Sequence, residues 1–128
     1  MTERQHGDVQ TCGAMADILN RIGDKWSVMI VGHLTHRTMR FNELRHAIGG
    51  ISQRMLTLTL RNLERDGLVS RAVTPSIPPR VDYALTELGR SLLKPLDALA
   101  KWAVANIETI HGAQAHFDAE ADARAEAA

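Results

Sequence analysis

Apolar residues along this chain recur mostly at the spacing of helices, with one stretch near the middle that alternates as strands do. From Cys12 the positions Met15, Ile18, Leu19 and Ile22 keep helical spacing, and Gly23 supplies a stop, which predicts a first helix. Asp24 can cap a second helix, whose run Trp26-Ser-Val-Met-Ile-Val-Gly-His-Leu34 places Trp26, Met29, Ile30 and Leu34 on one face. Its further apolar positions predict deep burial, as in a central core helix. Residues 1–11 are polar and carry no period, so a mobile arm is expected there.

Met39 to Phe41 can form a very short strand before a third helix that begins at Asn42 and buries Phe41, Leu44, Ala47 and Ile48. Gly49-Gly50 then allows a sharp change of direction, Ile51 anchors the turn from inside, and Ser52 is a good N-cap for a fourth helix. In that helix Leu56, Leu60 and Leu63 form a stripe at helical spacing. At about 100° per residue, Arg54, Leu58, Arg61 and Arg65 fall on the opposite side, with Gln53 and Thr57 on one flank. A helix of this kind has one face for a core and one for phosphate.

Gly67 ends the fourth helix, and Leu68 to Thr74 alternates as a strand. Pro75, Pro78 and Pro79 break the chain before Val81, Tyr83 and Leu85 alternate as a second strand, so a hairpin with a long, stiffened tip is expected. Thr86 caps a last helical region carrying Leu88, Leu92, Leu96, Leu99, Ala103, Ile107 and Ile110, which Pro95 should kink or restart. From Gly112 onward the chain turns Ala- and acid-rich, with Phe117 as its apolar anchor. The organisation expected is an arm (1–11), a domain with an appended dimerisation helix (12–111) and a tail (112–128).

At 128 residues one domain with a single core is the natural reading, and the low aromatic content of 4% leaves little for stacking on single-stranded bases. Fifteen basic and fifteen acidic residues cancel, but their distribution does not. Between His36 and Arg80 eight arginines face three acids, for a net charge of +5, while the flanks carry −1 and −4. A single cysteine, Cys12, excludes an intrachain disulfide scaffold and favours a cytoplasmic setting. No run approaches a membrane span, and no apolar signal core opens the chain.

The order helix, turn, helix and two-stranded wing is that of a winged helix-turn-helix, a mainly α fold with a small β-hairpin (α+β) that places its second helix in the major groove. A three-helix core with a solvated arginine face is the blander alternative. The chain also resembles the HxlR-type bacterial transcriptional regulators, which are similar to the MarR-like regulators. The resemblance spans roughly Cys12 to Trp102 and rests on Gly-x-Lys-Trp, Phe-x-Glu-Leu, Gly-Ile-Ser-x-x-x-Leu and Pro-Pro-x-Val-x-Tyr-x-Leu-Thr-x-x-Gly, in that order. It implies a homodimer on a palindromic operator, and the function expected is a DNA-binding regulator, a repressor, held at the bacterial nucleoid through DNA.

The resemblance also implies that Ser52, Gln53, Arg54 and Thr57 meet base edges and that Arg80 flanks a wing reaching the minor groove. From the residue chemistry alone, Arg54 suits guanine, Gln53 adenine and the Thr57 methyl thymine, while Arg45, Arg61 and Ser52 suit phosphates. Arg65 is as readily explained by a salt bridge to a neighbouring carboxylate. The stripe Leu96, Leu99, Trp102, Ile107 and Ile110 outruns what so small a domain can cover, and burial against a twin subunit is expected.

Cys12 is expected just ahead of the first helix, where unpaired N–H groups lower a thiol's pKa. Members of the family use a cysteine near this position to sense oxidants or electrophiles, although Gly13 here stands where the family usually has proline. An inert thiol is the plainer reading of the residue by itself. His33 and His36 are three apart but lack a third ligand, so helix-end hydrogen bonding is their default and no metal or other cofactor is called for. No phosphate loop, nucleophile elbow or carboxylate pair marks an enzyme. Two other readings stand beside the DNA-binding one: a winged-helix protein-interaction module, and a sensor of a small aromatic or electrophilic effector.

Overall fold

The computed structural model describes the backbone of residues 2–127 and the side chains of residues 12–127. The chain divides into two compact units, one running to Leu93 and the other from Lys94.

The first unit holds α1 (Thr2–Ile22), α2 (Lys25–His33), β1 (Met39–Arg40), α3 (Phe41–Ile48), α4 (Gln53–Arg65), β2 (Val69–Thr74), β3 (Arg80–Leu85) and α5 (Glu87–Ser91). α1 begins inside the stretch expected as an unstructured arm, so the helix starts ten residues before the apolar period does. Gly23 ends it as the sequence implies, its N–H reaching the Leu19 carbonyl at 2.7 Å. Asp24 caps α2 by accepting from the Ser27 N–H.

Ile30 and Val31 of α2 with Leu34 just after it, Leu44 and Ile48 of α3, and Leu56, Leu60 and Leu63 of α4 make the core, closed by Met39, Ile51, Leu68, Val69, Tyr83 and Leu85. Four burial expectations need correction. Trp26 is only half-buried and Met29 is exposed, because the inward face of α2 turns toward Val31. Lys25 Nζ lies 4.4 Å from the Trp26 ring centroid, a cation–π contact that suits a partly wet indole. Ala47 is exposed and Phe41 only half-buried, so α3 buries Leu44 and Ile48 on a narrower stripe.

The three strands form one antiparallel sheet in the order β1-β3-β2. Met39 pairs with Tyr83 and Arg40 with Asp82, while β2 and β3 pair from Val69–Leu85 to Thr74–Arg80. Beyond Val69, β2 is exposed throughout, as expected of a hairpin that projects from its domain. Ser76 Oγ donates to the Pro78 carbonyl at 2.8 Å across its tip.

Thr86 caps α5, its hydroxyl accepting from the Gly89 N–H at 3.0 Å. The chain breaks at Leu92 and restarts as α6 (Leu93–Ala127), with Pro95 in the first turn, where a missing N–H costs no helical bond. In the second unit α6 is one helix of 35 residues, continuing through Gly112 where the sequence suggests a separate tail.

Candidate nucleic-acid interface

The turn between α3 and α4 sets how the fourth helix is offered. Gly49 and Gly50 both have positive φ, 67° and 70°, a region other residues rarely enter, and Ile51 then plunges into the core. Ser52 is extended, and its Oγ accepts from the Met55 N–H at 3.0 Å, which fixes the first turn of α4.

With Leu56, Leu60 and Leu63 buried, the other side of α4 is open: Gln53, Arg54, Thr57 and Arg61 are all exposed, and Arg45 is exposed on α3. Thr57 Oγ1 donates to the Gln53 carbonyl at 2.9 Å, so its proton is spent within the helix. Leu58 lies among these polar groups at 52% exposure, as its outward position on the helical wheel implies. Arg65 does not make the ion pair considered for it. Among the described residues no carboxylate reaches its guanidinium, and the adjacent Asp66 is held by Arg21 at 2.9 Å.

Two features escape a reading of the sequence. Thr59 is buried beside the leucine stripe, its hydroxyl donating to the Met55 carbonyl at 2.7 Å; the available signal is its place one residue before Leu60. The second is a cleft of about 910 Å³ between the base of α3 and the wing, into which β1–β3 pairing brings Arg37, Arg40 and Arg80. Two carboxylates restrain these cations. Arg37 Nη1 lies 2.9 Å from Glu43 Oε2, and Arg80 Nε lies 3.1 Å from Asp82 Oδ2. Glu43 also accepts from the Arg40 backbone N–H at 3.1 Å; that bond first, and Arg37 second, hold its carboxyl below the usual range. Arg80 thus stands at the wing, as the sequence suggests, but oriented by an acid two residues away.

The placement of Cys12 differs from expectation. It is exposed and unbridged, but it lies within α1 rather than ahead of it, so the argument from unpaired N–H groups at a helix start does not apply. Among the described residues no group of three His, Cys, Asp or Glu side chains is placed to hold a metal, and His33 lies in the last turn of α2. No helix among them is long and apolar enough to cross a membrane. Along α6, Leu99, Trp102, Ile107 and Ile110 are exposed and Leu96 half-buried.

A family model described as HxlR-like helix-turn-helix matches residues 21–111. The chain belongs to this family. It is 45% identical over 96 residues to an uncharacterized HTH-type transcriptional regulator of Methanothermobacter thermautotrophicus, covering 75% of this chain and 73% of that one. It is also 45% identical over 94 residues to the uncharacterized HTH-type regulator YtcD of Bacillus subtilis, covering 73% and 75%. Among solved structures, the redox regulator HypR in its reduced form superposes with a TM-score of 0.72 at 39% identity, over 77% of this chain and 98% of that one. The architecture is therefore the winged helix of HxlR-type, DNA-binding transcriptional regulators, with β2 and β3 as the wing and α4 as the second helix of the helix-turn-helix.

Proposed function

We propose that this HxlR-type regulator is a homodimeric repressor that reads a short pseudo-palindromic operator, with α4 of each copy in the major groove. The observation that carries this reading is the face of α4: Gln53, Arg54 and Thr57 are exposed at its start, opposite a stripe of buried leucines. In this reading Arg54 pairs with guanine and Gln53 with adenine, while Arg45, Ser52 and Arg61 hold phosphates. Arg80 carries the wing to the minor groove. Dimerisation uses Leu96, Leu99, Trp102, Ile107 and Ile110 of α6, and the protein works on DNA in the bacterial cytoplasm.

Selection of bound duplex from a random pool tests the reading. It should return two inverted half-sites whose centres lie about 34 Å apart along the duplex. Failure to bind random duplex even at low salt would instead favour a protein-interaction module, because release of counterions alone gives a basic face some affinity.

Likeness to a redox regulator supports an input through Cys12, whose exposed thiol is open to oxidants or electrophiles. If operator binding by Cys12→Ser responds to oxidant as the parent does, the thiol is not the sensor.

A further inference from the structure

The C-terminal half of α6 lies outside the family match, which ends at residue 111, yet its apolar face continues the one before it. Seven and eleven residues are close to two and three whole turns of a helix with 3.6 residues per turn. Counting seven either way from Ile110 gives Ala103 and Phe117, and counting eleven gives Leu99 and Ala121, so all five share one face. Leu99, Ile110 and Phe117 are exposed on that face, Phe117 at 69%. The order of sizes is the informative part: each large side chain is matched by an alanine at the same distance on the other side of Ile110.

We propose that this face is the seat of α6 from a second copy of the chain, running antiparallel and crossing at Ile110. This deepens the homodimer reading above and rests on it. A two-fold axis at Ile110 puts Phe117 against the partner's Ala103 and Leu99 against the partner's Ala121, so large side chains meet small ones and the backbones can approach closely. A parallel pair would set Phe117 on Phe117 and alanine on alanine, leaving gaps beside a bulge.

Charge selects the same direction. Leu93 to Val104 carries Lys94, Asp97 and Lys101, net +1, whereas His116 to Ala127 carries four acids and Arg124, net −3 with His116 neutral. Antiparallel helices bring +1 beside −3 at both ends, while parallel helices bring −3 beside −3. Helix dipoles also oppose one another favourably when antiparallel.

Disulfide trapping in the full-length Cys12→Ser protein tests the register. The double variant Ala103→Cys, Phe117→Cys should form a covalent dimer under mild oxidant at least ten times faster than Ala103→Cys alone, because only the antiparallel register brings the two positions together. Equal trapping by the single variant would overturn the proposal in favour of a parallel pair. Sedimentation of the parent protein separates the two levels of inference. A dimeric parent whose double variant does not cross-link leaves the homodimer reading intact and refutes this register; a monomeric parent at high concentration refutes both.

Discussion

Arg21 Nε lies 2.9 Å from Asp66 Oδ2, which ties the last turn of α1 to the residue that ends α4. Both side chains are about one-third exposed, 33% and 30%, so the pair is neither a loose surface contact nor a buried charge pair. It joins the helix that carries Cys12 to the helix that offers Arg54. A double-mutant cycle of Arg21→Ala and Asp66→Ala in urea unfolding should give a coupling of about 0.2 to 1 kcal/mol. The coupling should shrink in molar salt, as Coulomb attraction at a partly wet site does. A coupling near zero at low salt would mean that the contact does not hold α1 to α4.

Two glycines should respond to alanine with opposite signs. A Cβ on Gly89 would collide with the Leu68 carbonyl oxygen and lie 3.2 Å from Leu85 Cδ2, and that same carbonyl accepts the Thr86 N–H at 3.1 Å. Backbone cannot yield there as a flexible side chain would, so Gly89→Ala should cost about 1 to 3 kcal/mol. A Cβ on Gly112, within α6, meets nothing within 4 Å. Gly112→Ala should therefore strengthen that helix by up to about 1 kcal/mol. Thermal unfolding followed by circular dichroism reads both changes.

Acid should loosen the junction of β1 and α3 through Glu43. The Arg40 N–H and then Arg37 hold its carboxyl below the usual range in the folded state. A lowered folded pKa stabilises the fold fully above the unfolded value and loses that contribution as pH falls through the folded one. The stability difference between the parent and Glu43→Gln should shrink as pH falls through the folded value, because the other carboxylates, Asp66 and Asp82 among them, titrate alike in both. Urea midpoints measured from neutral pH down through the carboxylate range check this.

The leucine stripe of α4 could be read in advance because one face is fully buried and the period of 3.6 then shows in Leu56, Leu60 and Leu63 without interruption. The wing was legible for a similar reason, through Tyr83 and Leu85 and the prolines that separate the strands. The start of α1 is not legible, since extending a nucleated helix needs no apolar period, and the sequence alone therefore puts Cys12 ahead of a helix that in fact contains it. Nor could Arg37 and Arg40 be grouped with Arg80. They meet only because Arg40 pairs with Asp82 across the sheet, a contact between residues far apart in sequence. Ala47 failed as a core residue because helical spacing marks a face without fixing its width.

Arg54 and Arg45 should fail in different ways. Both are exposed, but Arg54 lies in the first turn of α4 and Arg45 in the last turn of α3. In the proposed complex Arg54→Ala should cost about 1 to 3 kcal/mol on the selected operator and relax preference at one base position. Arg45→Ala should weaken operator and random duplex alike and reduce the salt slope by about one. Fluorescence anisotropy on both duplexes across a salt series separates these outcomes. Equal losses on both duplexes for Arg54→Ala would remove its base-reading role.

Thr57 allows a sharper test, because its hydroxyl proton is given to the Gln53 carbonyl at 2.9 Å. That leaves the methyl as the group offered to a base, and a methyl recognises the methyl of thymine by contact rather than by hydrogen bonding. Thr57→Val keeps such a contact and has a helix propensity close to that of threonine, so it should retain the base preference. Thr57→Ser keeps the hydroxyl and loses the methyl. It should lose about 0.8 kcal/mol of discrimination, the worth of roughly one buried methylene. Competition between operators carrying thymine or uracil at the contacted position reads the methyl directly. The parent and Thr57→Val should prefer thymine and Thr57→Ser should not, whereas a preference kept by Thr57→Ser and lost by Thr57→Val would mean that the hydroxyl leaves its helical partner to read the base.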